Sequence, residues 1–440
     1  MPLDRSQNPA IHHPLRPWRE GVTPYQWLVL LVAWLGWVFD SMDATIYVIV
    51  LHPALEELLG GASGMPVSPA TIGWYGGIIL SIFLIGWAIG GVLFGVAADY
   101  FGRTKTLIAT ILIYATFTGL AALSQDWWHL ACYRFMTAVG IGGEWAAGAA
   151  MVAEVWPEDK RAKAGGILQS AWAVGFFLAA AANLLLRGYG WRALFLVGVL
   201  PAFVALLIRL WVKEPERWVQ AHRQELLSGT AHRIKIPDLF HGDLRRHTWV
   251  GSILAFVAVF GLWGGANWTP TLIGALPDMQ GLGQAALAGY VSYAIMAFNC
   301  GSLFGYLSFG PLADRFGRRP AFALMCAGSL VMLPITYLTP HAYVHVLLLL
   351  PLLGFFNNGL FSGFPIYLPE LYPTRLRATG AGFCFNAGRV LASAGPLMTG
   401  FLVTTLGSFG RAASAVALIY LLGLATLYFA PETRGRPLPD

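Results

Sequence analysis

Along this 440-residue chain, apolar runs of membrane-spanning length alternate with short polar connections. A helix that crosses a bilayer needs roughly 20 predominantly apolar residues. The pattern predicts twelve such spans, at 25–51, 72–98, 106–123, 127–153, 164–187, 191–213, 247–272, 287–310, 320–338, 342–368, 378–405 and 411–430. One polar connection is long. It covers 214–246, carries Glu216, Arg217, Arg223, Arg233, Lys235, Arg245 and Arg246, and separates two sets of six spans. The expected organisation is a tail at 1–24, a six-helix bundle at 25–213, the central loop at 214–246, a second bundle at 247–430 and a tail at 431–440. The first tail is polar, holds Pro14, Pro17 and Pro24, and runs into a span too long for a signal-peptide core.

Composition agrees with this pattern. Hydrophobic residues make up 57% of the chain and charged residues 11%, against about a quarter charged in soluble domains. Such a chain has too little polar surface to face water and takes lipid as its solvent. The net charge of +6 is a signal of topology. On the side of both tails fall Arg5, Arg16 and Arg19, Arg103 and Lys105, Lys160, Arg161 and Lys163, the central loop, Arg315, Arg318 and Arg319, Arg375 and Arg377, and Arg434 and Arg436. The opposite side holds only Arg187, Arg192 and Arg411. The excess of cations on cytoplasmic loops then puts both termini in the cytoplasm of a multi-pass plasma (inner) membrane protein. The lipid bilayer is the expected partner and nucleic acid is not. Cys132, Cys300, Cys326 and Cys384 lie in apolar stretches with neither metal-site nor disulfide spacing, and read as small apolar residues.

Only Asp40, Asp43, Arg134, Glu144 and Arg389 are charged well inside spans. Each costs at least a few kcal/mol at mid-bilayer, so a role facing an internal path is the default. Asp40 and Asp43 share one face of span 1. Two close carboxyls repel and burial disfavours their charge, which suits a site that carries a proton. The alternative is that one Asp pairs with Arg134 or caps a broken helix. Glu144 reads equally as a second proton site or a structural hydrogen-bonding group. Asn386 and Arg389 lie three apart on span 11, and a guanidinium beside an amide suits a forked grip on a carboxylate. The alternative there is a fixed ion pair with an acid of the first half. Further polar candidates for a substrate are Gln169, Asn267, Asn357 and Asn358, with Trp268 and Tyr293 placed to stack on a planar ligand.

Three motifs occur twice, about half a chain apart. Glu154, Pro157, Arg161, Ala162 and Gly166 are matched by Glu370, Pro373, Arg377, Ala378 and Gly382. Gly95, Asp99, Gly102 and Arg103 are matched by Gly310, Asp314, Gly317 and Arg318, the second copy adding Arg315 and Arg319. Pro215-Glu216-Arg217 is matched by Pro431-Glu432-Thr433-Arg434. Such duplication is how many transporters are built. The second motif is similar to the G-x-x-x-D-(R/K)-x-G-R-(R/K) loops of the major facilitator superfamily, and the resemblance covers essentially the whole chain. Its first copy departs at Tyr100 and Thr104, which implies a weaker brace in that half. Phe39-Asp40-Ser41-Met42-Asp43 resembles the D-x-x-D of the aromatic-acid and sialate proton symporter branches, with Ser41 where the aromatic-acid version has Gly. Arg134, Gly140 and Gly142 resemble the family's span 4 pattern, and Gly388-Arg389 with Gly395-Pro396 resembles span 11 of organic-anion symporters.

The resemblance implies an all-α membrane protein of twelve transmembrane helices in two pseudo-symmetric six-helix bundles, the major facilitator fold, working as a monomer. It implies that Arg134 joins a proton relay and that the paired motifs brace the cytoplasmic face until transport breaks them. The expected activity is secondary active transport, with proton symport of a small organic anion, a mono- or aromatic carboxylate, by alternating access. Rivals are a sugar or other neutral-solute transporter, a drug/proton antiporter and a non-transporting membrane sensor. Span 5 lacks the glycine–proline run of drug antiporters and span 7 the Q-Q-L-S-G run of sugar porters. No nucleotide loop, HExxH, CxxC or nucleophile elbow is present, so no enzymatic site, metal or cofactor is expected beyond the coupled proton.

Overall fold

The computed structural model describes residues 20–60, 67–227, 236–265, 268–392 and 395–439. Among them every regular element is helical. The first half contains α1 (Pro24–Gly60), α2 (Pro69–Phe101), α3 (Arg103–Ala121), α4 (Trp127–Val155), α5 (Arg161–Leu186), α6 (Trp191–Val197) and α7 (Pro201–Trp211). The second contains α9 (Leu244–Gly264), α10 (Thr269–Gly274), α11 (Gln284–Phe316), α12 (Arg318–Leu338), α13 (Tyr343–Gly359), α14 (Phe364–Glu370), α15 (Arg377–Ala392), α16 (Gly395–Leu406), α17 (Phe409–Val416) and α18 (Ile419–Phe429). The polar connection between them is partly ordered, with α8 (Glu216–Leu227) and a short 3-10 turn at Ile236–Phe240.

Nine of the described helical segments are long and apolar enough to cross a membrane. The other three expected spans have identifiable departures. Span 6 is divided at Pro201 into α6 and α7, and span 11 is described as α15 and α16 on either side of residues 393–394, which lie outside the described residues. Span 8 is a single helix, α11, diluted by Asn299, Ser302, Asp314 and Arg315.

The halves pack along two related seams, α2 against α15 and α5 against α11. Both depend on the motif glycines. A Cβ at Gly95 would stand 2.8 Å from the Ala378 carbonyl oxygen, and one at Gly310 would stand 2.5 Å from that of Ala162. Each duplicated corner also turns on one glycine. Gly102 (φ +110°) joins α2 to α3 and Gly317 (φ +106°) joins α11 to α12, a backbone region open at low cost only to glycine. We call the face of these corners, which bears Arg103, Lys160, Arg318 and Arg375, the basic face.

Candidate functional site

Between the halves lies a small cavity of about 60 Å³, room for a few waters at most. Trp37, Leu84, Trp87, Gln169 and Trp172 line it from the first half, and Val259, Trp263, Tyr306, Asn358, Phe385 and Arg389 are among those lining it from the second. A ligand there touches both halves, so any rocking of one against the other reshapes the cavity.

Arg389 is 9% exposed and has no acidic partner among the described residues. Its Nη1 donates to Asn386 Oδ1 at 3.0 Å. Its guanidinium lies 4.0 Å from the Trp87 ring centre and 4.8 Å from that of Phe385. This geometry leaves out the fixed ion pair that the sequence left open. It also corrects the role of Asn386. Asn386 Nδ2 donates to Gly382 O at 2.8 Å and its Oδ1 is taken by Arg389, so the amide holds the arginine in place and does not line the cavity.

The other candidates divide in the same way. Gln169 and Asn358 reach the cavity. Asn357 does not, because its Nδ2 donates to Tyr420 OH at 2.7 Å and ties α13 to α18. Tyr293 is 65% exposed on the outside of α11, and Trp268 packs against the core cluster that holds Ile273, Leu276 and Leu333, away from the cavity. Asn267 lies outside the described residues. The aromatic walls come instead from Trp37, Trp87, Trp172 and Phe385. Trp172 stands 5.3 Å from Trp37 and 6.1 Å from Trp87. The sequence reading missed Trp37, and the signal that could have found it is its place one turn before Asp40, on the same face of α1.

The intramembrane acids form a second cluster behind the Trp37–Trp87 wall. Asp43 is committed: Arg134 Nη1 lies 2.8 Å from Asp43 Oδ2, and Thr118 Oγ1 donates to Asp43 Oδ1 at 3.0 Å. Tyr47 and Phe83 flank the same guanidinium at 4.8 and 4.6 Å. Asp40 and Glu144 are as deeply buried, yet none of their four carboxyl oxygens has a hydrogen-bond partner among the described residues. The Glu144 carboxyl reaches α1 at Gly36, one turn before Asp40 on the same face. The expected Asp40–Asp43 pair is therefore rearranged. Asp43 belongs to Arg134, and Asp40 faces Glu144. Gly36 makes this possible, since a Cβ there would overlap the Glu144 carboxyl. Next to Glu144, Trp145 stacks on Phe385 at 4.3 Å, and Phe385 carries Arg389.

On the basic face the duplicated motifs meet. Glu154 takes Arg103 Nη2 at 2.8 Å from its own half and Arg377 Nη1 at 2.7 Å across the seam. Glu370 takes Arg318 Nη2 at 2.9 Å and, across the seam, Arg161 Nη1 at 3.4 Å. Asp99 accepts the Ala378 and Thr379 backbone N–H groups at 3.1 and 2.7 Å, capping α15 from the other half. Asp314 holds its own Arg318 at 3.2 Å, its Oδ2 has no hydrogen-bond partner among the described residues, and across the seam only the Lys163 charge is seen to act on it. Arg315 turns outward over Phe316, outside the brace in which the motif had placed it. The weaker brace is thus the second one and not the first.

Comparison with known proteins gives the same architecture. Residues 33–308 match the family model described as Major Facilitator Superfamily, and 289–440 match Sugar (and other) transporter. The "Probable 4-methylmuconolactone transporter" of Cupriavidus pinatubonensis is 30% identical over 95% of this chain and 93% of its own. The "Sialic acid transporter NanX" of Escherichia coli is 29% identical over 88% and 89%. The solved proton:xylose symporter XylE superposes with a TM-score of 0.75 at 19% identity, covering 94% of this chain and 98% of its own. With twinned motifs, the fold and a family match over more than half its length, this chain is a non-enzymatic membrane transporter and belongs to the major facilitator superfamily.

Proposed function

We propose that this protein is a proton-coupled symporter of a small organic carboxylate, working by alternating access with the basic face and both chain ends in the cytoplasm. The observation that carries the reading is Arg389: a buried guanidinium at the wall of a cavity between the halves, with an amide to orient it and no carboxylate among the described residues to neutralise it. A buried unpaired cation is costly, and a substrate carboxylate is the group that relieves it in forked geometry. The names of the relatives, a muconolactone and a sialic acid transporter, support an organic acid.

Asp40 and Glu144 suit the coupled proton. Two buried carboxyls with no cation between them are a costly site for negative charge, and a bound proton removes part of it. Through Trp145 and Phe385 the pair adjoins Arg389, so proton and anion charges are balanced within one region. Asp43 and Arg134 are the fixed part of the same cluster.

The test is uptake by proteoliposomes over a panel of organic acids, with and without an inward proton gradient. Arg389→Lys keeps the charge and loses the fork, and is expected to weaken binding by about 10- to 100-fold, from about 1.5–3 kcal/mol of charged hydrogen bonding. Asp40→Asn and Glu144→Gln are expected to lose gradient-driven uptake and keep counterflow of preloaded substrate. Unchanged affinity in Arg389→Lys removes the carboxylate grip and leaves the neutral-solute reading, which the match of 289–440 to the sugar transporter model favours.

A further inference from the structure

Once Arg389 is assigned to a carboxylate, one polar group of the cavity wall has no task. Asn358, on α13, is 4% exposed, and its amide is fixed in one orientation by its neighbour. Ser302 Oγ donates its only proton to Phe298 O at 2.8 Å, so it is free to accept, and Asn358 Nδ2 donates to it at 2.8 Å. Turning the amide over would set a carbonyl oxygen against a hydroxyl oxygen whose proton is already committed. Asn358 Oδ1 is therefore the atom left over, buried and without a hydrogen-bond donor among the described residues. On the other half, Gln169 is 3% exposed and its Oε1 likewise lacks a donor. A lone buried acceptor is costly to leave unmade, and its natural complement is a ligand N–H or O–H.

Much of the remaining wall is aromatic. Trp37 and Trp87 both lie against Trp172, tilted to it by 44° and 32°, and Phe385 lines the cavity beside Arg389. Such walls favour a planar ligand. The free volume of about 60 Å³ means that a ring enters only as the halves separate.

Resting on the carboxylate reading of Arg389, we propose that the substrate is a planar, aromatic or conjugated acid bearing a hydrogen-bond donor, a hydroxyl or ring N–H, and that Asn358 Oδ1 accepts from that donor. Ser302 is the positioning residue that holds the amide by its nitrogen and so leaves the oxygen to accept. A site built around a hydrogen-bond partner rejects the analogue that lacks it more strongly than an apolar pocket rejects a missing methyl group. Asn358 is then a determinant of specificity between otherwise similar carboxylates.

The experiment uses the full chain in nanodiscs, with binding followed by tryptophan fluorescence. The probes are benzoate, 3- and 4-hydroxybenzoate and the matching methoxybenzoates, which can accept but not donate. The better hydroxy acid is expected to bind at least 30-fold tighter than benzoate and its own methoxy analogue, about 2 kcal/mol at 1.4 kcal/mol per tenfold. That ratio should fall below threefold in Asn358→Leu. In Ser302→Ala, where the amide is free to turn, the hydroxy-to-methoxy ratio should fall while benzoate still binds through Arg389. Equal loss for all probes in Asn358→Leu would mean a merely structural role and overturns the proposal. Equal wild-type affinity for all probes, each still weakened by Arg389→Lys, overturns it and leaves the carboxylate reading standing. If no acid binds, both fall together.

Discussion

The two copies of the basic-face motif are built from nearly the same residues and close to different degrees. In both, a glutamate that follows the corner glycine's partner helix caps the next helix. Glu214 accepts from the Thr104 and Lys105 amides at 3.1 and 3.2 Å, and Glu432 accepts from those of Arg318 and Arg319 at 2.9 and 3.1 Å. The copies part company at the seam. Asp99 is sealed, caps α15 and lies 2.9 Å from Arg103, whose Nη2 also reaches Thr374 O of the other half at 2.7 Å. The Asp314 side chain is 22% exposed, pairs with its own Arg318 and meets the other half through the Lys163 charge, with no backbone cap across the seam among the described residues. Duplication has preserved the corners and let the cross-half hydrogen bonds diverge, so one seam is a firm latch and the other a looser one.

The largest test of that contrast is Asp99→Ala beside Asp314→Ala. Removing Asp99 leaves two buried backbone amides without their acceptor, while Arg103 keeps Glu154, and should weaken the closed face by about 1–3 kcal/mol for each amide. Removing Asp314 should cost about 0–1 kcal/mol, as for a partly hydrated pair. Maleimide labelling of a cysteine placed at Ser362, buried beneath this face, reads the difference. Equal labelling rates in the two variants would erase the distinction. Next in size is Arg377→Lys against Arg161→Lys. Arg377 bonds Glu154, the Pro369 and Pro439 carbonyls and Thr374, and loss of its fork should cost about 1.5–3 kcal/mol. Arg161 has one long cross-half bond, and Nε and Nη2 without hydrogen-bond partners, and should lose less than half as much in the same assay. Smaller again, Glu214→Gln and Glu432→Gln should each lower stability by about 1 kcal/mol through a weakened helix cap. Their thermal melting shifts should agree, because the corners are alike.

How far the chain could be read in advance follows the same physics. Span number, halves and brace were legible because lipid demands apolar runs of fixed length and because a repeated motif reports a repeated contact. Arg389, Asp40 and Glu144 were legible because charge inside a span is rare. Partner choice was legible only as the alternative that one Asp pairs with Arg134, not as which one. Asp43 goes to Arg134 and Asp40 to Glu144 because Gly36 lets α4 close on α1, a consequence of helix packing that spacing within α1 does not contain. The tryptophans of the cavity were hidden among seventeen, most of which read equally well as interfacial. Asn358 was separable from Asn357 only through what each amide nitrogen already holds, Ser302 in one case and Tyr420 in the other.

The smallest prediction addresses why the weaker copy was misplaced. Tyr100 and Thr104 stand where the motif has other residues, and composition alone marks the first copy as the degraded one. In the fold neither side chain bears on the seam. Tyr100 is 52% exposed and packs edge-on against Phe101 at 4.8 Å. Thr104 serves the corner through its backbone N–H, which any residue but proline supplies, and its Oγ1 bonds Lys213 O within the same half. Restoring the motif with Tyr100→Arg should therefore leave melting and Ser362 labelling within about 0.5 kcal/mol of wild type, as for a surface change away from any buried network. A slowing of labelling by tenfold, about 1.4 kcal/mol, would show that a cation at position 100 does strengthen the latch, and that the first seam is firm in spite of its sequence and not because of Asp99 alone.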